Sequence, residues 1–354
     1  MMTLKKLLIF VMSFAAMVVA ASCEHRVLTD PSEVHYIRVY FDEQIKNVTC
    51  GFYNETFEHP EYTKPLNIRA TLSSPATGEV IREGILRNQG NDDKGYYIDG
   101  YISAPEGEYN LMMYQLGSPV THIKNPESHF DMLAYTDPIS GRILNYIPNS
   151  SKDMDNDKIM TEPEHMMVAR YNGLVIDNSL QTDTLKTSEG EYFTAATIAK
   201  SYYLQLRITG VEWVRTAAAV LTGMAGSNRL CLEEGMVTTD PANLFFFMTY
   251  GDRQKRSGAK GSSALLYTTF TTFGKIPELT SELKLNFEVT KSDGSIQFES
   301  FDITETFQTP MAIENQWLIL DKEINITPPE GTESSGSMDP GVEGWKDKEA
   351  DLYM

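Results

Sequence analysis

Leu283-Lys284-Leu285-Asn286-Phe287-Glu288-Val289 alternates apolar and polar residues without a break; Ser292-Asp293-Gly294 follows, and Ile296 to Phe301 returns. Side chains of a β-strand point to opposite faces with a period of two, so this stretch reads as a half-buried strand. The Asp-Gly pair supplies a tight turn, because glycine accepts φ > 0 without steric cost. The unit is a hairpin with one wet and one dry face.

Working outward, the same pattern recurs. Val34 to Phe41, Val48 to Tyr53, Tyr96 to Ser103, Tyr109 to Tyr114, Met166 to Arg170, Leu244 to Tyr250, Leu265 to Phe273 and Trp317 to Ile326 are rich in β-branched, aromatic or alternating residues. Leu66 to Leu72 and Val80 to Leu86 flank a Ser-Pro-Gly turn and form a second hairpin. Ile143 to Ile147 and Asn228 to Leu232 are shorter candidates. Ala195 to Leu206, with Ile208, reads as one long strand. Trp213 to Thr222, with Ala217-Ala218-Ala219, has a local helical look against a competing strand reading. A short helix is expected near 215–222 or 304–308. Many short strands at roughly ten-residue spacing predict an all-β chain of two sandwiches.

Residues 1–22 carry Lys5 and Lys6, an apolar run from Leu7 to Val19, and Ala20-Ala21-Ser22 before Cys23. The run is too short for a hydrocarbon layer of about 30 Å and fits a signal peptide. Small residues ending at a cysteine suit lipoprotein signal peptidase, so Cys23 is the expected lipidated first residue. The organisation expected is a signal at 1–22, a tether at 23–33, a first sandwich at 34–180, a second at 181–327 and a flexible tail at 328–354. The tail is crowded with Pro, Gly, Ser and acids. The first boundary rests on the polar, weakly patterned stretch from 173 to 190.

The formal net charge is −19, with 49 acidic against 30 basic residues. Such a surface repels nucleic acid and anionic lipid. No GxSxG, P-loop, dinucleotide fingerprint or HExxH occurs, and no cofactor is implied. Cys50 and Cys231 are expected as buried free thiols. The six histidines have no metal spacing. Asp153, Asp155 and Asp157, with Glu164 twelfth from Asp153, resemble the ligand spacing of an EF-type calcium loop. Lys158 stands where that loop wants glycine, and no helices flank it, so an acidic loop is the simpler reading. Arg253, Lys255 and Arg256 mark a basic hairpin loop and a protease-sensitive spot.

Several stretches together resemble the fimbrillin and FimB-type fimbrial-anchor lipoproteins of the Bacteroidetes. They are Cys23-Glu24-His25 ahead of Val34 to Phe41; Ala104-Pro105-Glu106-Gly107-Glu108-Tyr109; Glu162-Pro163-Glu164-His165 leading into Met166 to Arg170; and Val220-Leu221-Thr222-Gly223-Met224-Ala225. Phe301-Asp302-Ile303-Thr304 and Pro340-Gly341-Val342-Glu343-Gly344-Trp345 add to them. The resemblance implies two transthyretin-like sandwiches in tandem and an outer-membrane address through acylated Cys23, at the cell surface. It also implies fimbrial subunits as partners by strand donation, and no catalytic residues. The function implied is a non-enzymatic fimbrial anchor, accessory or adhesin-like subunit. A carbohydrate-binding surface lipoprotein of a glycan-uptake system is the alternative, with the clustered tyrosines and Trp213, Trp317 or Trp345 as sugar platforms. Most aromatics alternate within strands, which favours core.

Overall fold

The computed structural model describes residues 33–42, 64–139, 158–177, 184–231, 237–250, 263–276 and 283–330. Cys23, Cys50, Asp153, Asp155, Asp157, Arg253, Lys255, Arg256 and Trp345 lie outside them, as do the candidate strands at 48–53 and 143–147.

In β1 (Val34–Phe41), Ile37, Val39 and Phe41 turn inward, while Tyr36, Arg38 and Tyr40 share the other face. Its antiparallel partner is β5 (Gly95–Ser103), and β4 (Asn88–Asp92) borders β5. A second layer holds β2 (Ile68–Ser73), β3 (Val80–Leu86), β6 (Gly107–Gln115) and β10 (Met167–Ile176). The order is β3-β2-β6-β10-β11-β1-β5-β4, with β11 at Phe193–Thr197. That strand turns the corner between layers: Phe193 to Ala195 run parallel to β1, and Ala196 and Thr197 pair antiparallel with β10. Strands β3 and β5 approach closely without pairing. A Cβ at Gly84 would stand 2.9 Å from the Tyr101 carbonyl oxygen, and one at Gly100 would stand 3.1 Å from the Leu86 Cα. Glycine is therefore required by the close approach of two backbones. Ile37, Leu72, Leu111, Met113, Ala169 and Phe193 fill the space between the layers.

The second body packs β16 (Thr249–Tyr250), β17 (Ser263–Thr272), β12 (Lys200–Thr209) and β20 (Trp317–Asn325), in that order, against a five-stranded layer. That layer runs β19 (Ile296–Asp302), β18 (Lys284–Lys291), β13 (Val214–Ala225), β15 (Pro241–Phe247) and β9 (Lys158–Met160). Phe270 stacks between Tyr202, at 5.7 Å, and Phe246, at 5.0 Å, in a core with Leu206, Leu221 and Phe287. The hairpin that opened the sequence reading is β18–β19, with Gly294 at φ 88°.

Three expectations are corrected. The long strand at 195–208 is two strands, and the chain passes from the first body to the second between them, at Ile198 and Ala199. The first body's sheet therefore runs to Thr197, past the expected limit near residue 180, because β11 supplies its corner. The helical look at 215–222 is strand β13, preceded only by a 3-10 turn at Val211–Trp213. Alanine's helix preference amounts to a few tenths of a kcal/mol per residue, and two full ladders to β15 and β18 override it. Leu244 to Tyr250 is also divided, since β15 and β16 belong to different layers. Near 304–308 lie a 3-10 turn at Thr306–Gln308 and helix α1 (Pro310–Asn315), capped where the Thr309 hydroxyl accepts the Ala312 amide at 3.2 Å. Among the described residues no helix is long and apolar enough to cross a membrane.

The two bodies are joined by more than a linker. Strand β7 (Thr121–Lys124) pairs with β8 (Leu133–Thr136), which in turn pairs with β14 (Ser227–Arg229) from the later half of the chain. Beneath them Met112, Met132, Met166, Val168, Ile198, Leu230 and Phe273 form a shared apolar cluster. Strand β9 crosses the same junction to run parallel to β15.

Candidate functional site

Two mirrored sequences build the most elaborate surface feature. Tyr36-Ile37-Arg38-Val39-Tyr40 lies on β1 and Tyr97-Ile98-Asp99-Gly100-Tyr101 on β5. Antiparallel register sets Tyr36 opposite Tyr101, Arg38 opposite Asp99 and Tyr40 opposite Tyr97. All six outward side chains therefore meet as cross-strand pairs on one face. The Arg38 guanidinium lies 3.8 Å from the Tyr97 ring centroid, a cation–π contact. On β4, Gly90 lies beneath that ring, and a Cβ there would run into it. Tyr36 and Tyr101 meet edge-on at 5.5 Å, and Tyr192 packs on Tyr40 at 5.4 Å.

The charges on this face are matched internally. Arg38 donates to Asp92 at 3.2 Å and to Asp99 at 3.3 Å, and also to the Tyr36 and Tyr40 hydroxyl oxygens. The Tyr40 hydroxyl donates to Asp92 at 2.8 Å, and the Tyr36 hydroxyl donates to Asp99. The Tyr40 hydrogen bond, helped by the Lys94 amide, holds the exposed Asp92 carboxyl below the usual carboxylate range. Burial, then the Asp99 hydrogen bond, pushes the Tyr36 phenol up, so the ring stays neutral. Lys94 and Lys186 stand 5.2 and 4.9 Å from the Tyr192 ring. Tyr101 is 62 % exposed.

The Glu162-Pro163-Glu164-His165 segment lies at the junction of the bodies. Glu162 accepts the Thr271 amide of β17 at 2.7 Å. His165 bonds the Thr197 hydroxyl at 3.0 Å and the Ser201 hydroxyl at 2.7 Å, and Ser201 shares a hydrogen bond with Thr271. Burial pushes the Glu162 carboxyl up to about 7 against the pull of the Thr271 amide. Glu164, the calcium candidate that can be located, instead accepts from Ser118, while its amide bonds the Thr121 hydroxyl at 3.1 Å. Among the described residues no three His, Cys, Asp or Glu side chains are grouped to hold a metal.

Other features complete the survey. A cleft of about 470 Å³ lies at the junction, lined by Lys124, Tyr135, Asp137, Met160, Asp240 and Pro241 among others. The outer face of the five-stranded layer exposes Phe247, Ile296 and Phe298. Trp213 is half-buried against the second core, and Trp317 packs with Tyr203 and Tyr267, so neither is a free platform. Cys231 is a free, half-buried thiol pushed up by burial. His35, in β1, and His129 are buried, and His35 Nε2 donates to the Ala104 carbonyl at 3.0 Å. The sequence reading pointed at clustered tyrosines without locating them. The signal that locates them is the matched parity of Tyr-x-Arg-x-Tyr and Tyr-x-Asp-x-Tyr in two strands that pair antiparallel.

Residues 85–246 match the model of a family described as a domain of unknown function, DUF5119; the match runs from β3 into β15 and so spans the junction. A candidate fimbrium anchoring subunit, Fim4B of Bacteroides ovatus, is 21 % identical over 291 residues, covering 71 % of this chain and 78 % of the relative. The crystal structure of a candidate adhesin from Bacteroides ovatus superposes with a TM-score of 0.56 at 18 % identity, covering 87 % of this chain and 98 % of that one. The fimbrial anchor protein Mfa2 of Porphyromonas gingivalis gives 0.47 at 11 % identity, over 81 % and 88 %. The resemblance to fimbrial-anchor proteins of the Bacteroidetes, drawn first from short motifs, stands in these comparisons.

Proposed function

We propose that this protein is a non-enzymatic, envelope-associated fimbrial anchor or adhesin-like subunit. The observation that carries the reading is the alignment with Fim4B, which extends over most of both chains rather than one module. Residues 1–22 serve as a lipoprotein signal, and acylated Cys23 holds the mature chain to the outer membrane. Each buried methylene of the acyl chains contributes about 0.8 kcal/mol. The two bodies are transthyretin-like sandwiches, the first extending from residue 34 through β11 and the second from β12 to residue 327. Fimbrial subunits join by strand addition at an open sheet edge. In the second body β19 and β20 end their layers on the same side. There the Gln297 side chain bridges the two strands, donating to the Asn325 carbonyl at 2.9 Å and accepting the Thr327 amide at 3.0 Å.

The test is cell fractionation of Cys23→Ala beside the unaltered chain, with affinity capture of each. The variant is expected in the soluble or medium fraction, and the unaltered chain is expected to bring fimbrial shaft subunits with it. Retention of Cys23→Ala in the outer membrane sinks lipid anchoring, and capture without fimbrial subunits sinks the assembly role.

A further inference from the structure

We propose that the face formed by Tyr36, Arg38 and Tyr40 on β1 and Tyr97, Asp99 and Tyr101 on β5 is a polysaccharide-binding surface. The proposal deepens the adhesin arm of the function above by naming the chemistry of its partner.

Three observations select a saccharide. The first is composition. On the outer side of 36–40 and 97–101 stand four tyrosines, one arginine and one aspartate; Tyr101 is exposed, Tyr36, Arg38 and Tyr97 are half-buried, and the buried Tyr40 and Asp99 support them. Tyrosine offers a flat apolar ring with a polar tip, which matches a sugar's C–H face and hydroxyl rim. It also loses little conformational entropy on binding, having two side-chain torsions. The outer layer of the second body is the contrast: its exposed large side chains are Phe247, Ile296 and Phe298, which carry no polar tip.

The second is preorganisation. Tyr97 is held between Gly90 and the Arg38 guanidinium, and Arg38 is fixed by Asp92 and Asp99. Ring positions are set before a ligand arrives, so little is spent on ordering them. The third is charge. Arg38, Lys94 and Lys186 stand around Tyr97 and Tyr192, interspersed with the carboxylates of Asp92, Asp93, Asp99 and Glu191, so the face mixes both signs. Charged donors and acceptors of both signs beside the rings offer hydrogen bonds to the hydroxyls of a saccharide.

Affinity gel electrophoresis of the full chain in detergent tests this, with dextran, mannan, polygalacturonate or chondroitin sulfate cast in the gel. At least one polysaccharide is expected to retard the unaltered protein. Tyr101→Ala and Tyr97→Ala should each weaken that binding about tenfold. Tyr101→Phe should retain most of it, and Phe298→Ala should leave it unchanged. Tyr101 is 62 % exposed, so its variants keep the fold, which the thermal midpoint verifies. Failure of all four polysaccharides to retard the protein overturns the proposal. So does equal retardation of Tyr101→Ala and the unaltered chain, or a photo-crosslinker at position 101 that captures only protein in intact cells. Fractionation of Cys23→Ala reads anchoring alone, so the two proposals fail separately.

Discussion

The outward faces of β1–β5 in the first body and β13–β18 in the second come from the same kind of antiparallel ladder, yet they carry opposite chemistry. In the first, each cross-strand pair joins rings or charges that satisfy one another: Tyr36 with Tyr101, Arg38 with Asp99, Tyr40 with Tyr97. In the second, the row through Ala218 sets Phe247 on one side and Glu288, then Phe298, on the other. Both ladders satisfy the backbone equally, so the sheet leaves the choice of outward side chain free. What differs is what each face is prepared to meet.

The sharpest way to break the comparison is to remove what both bodies share, a packed interior. Phe270→Ala empties a site between Tyr202 and Phe246 and should cost about 3–5 kcal/mol. Because the junction cluster ties the bodies together, one thermal transition should move as a unit. Two transitions, only one of them shifted, would show that the bodies melt separately.

The junction itself should respond to pH. Burial raises the Glu162 carboxyl from the ordinary 4.5 to about 7. Between these values the folded chain binds a proton that the unfolded chain has released. Stability from this group is therefore greatest below pH 4.5 and falls as pH rises through 7, by at most about 3 kcal/mol. Glu162→Gln should flatten that part of a stability profile measured by denaturant titration from pH 4.5 to 8. An unchanged slope would place the sensitivity elsewhere.

A smaller effect sharpens the first face alone. Gly90→Ala introduces a Cβ under Tyr97 and should cost about 1–2 kcal/mol while altering the near-ultraviolet dichroism of the tyrosines. The smallest effect belongs to the second face. Phe298→Ser should leave stability within about 0.5 kcal/mol and reduce binding of an apolar dye. A large loss of stability there would mean that Phe298 is a structural contact.

Strands that carry their own alternation were legible from sequence. Val34 to Phe41 and Val80 to Leu86 are strands over those same bounds. Asn88-Gln89-Gly90-Asn91-Asp92 carries no apolar pattern and is a strand only because β5 offers it a ladder. Lys158 to Met160 is too short to signal at all, and β15 makes it a strand. The tyrosine face was half legible: the rings and their spacing are in the sequence, but their convergence needs the register of β1 on β5.

The sequence by itself determined the class of the fold, because period-two alternation and turn chemistry are local properties of a few neighbouring residues. It also carried the motifs of the resemblance. Tertiary structure decided where Ala195 to Ile208 breaks, that an alanine-rich run becomes a central strand, and that Glu162 and His165 bind the two bodies together. Each of these depends on partners far along the chain, and hydrogen bonds and burial gained from distant partners outweigh local preferences of a few tenths of a kcal/mol per residue.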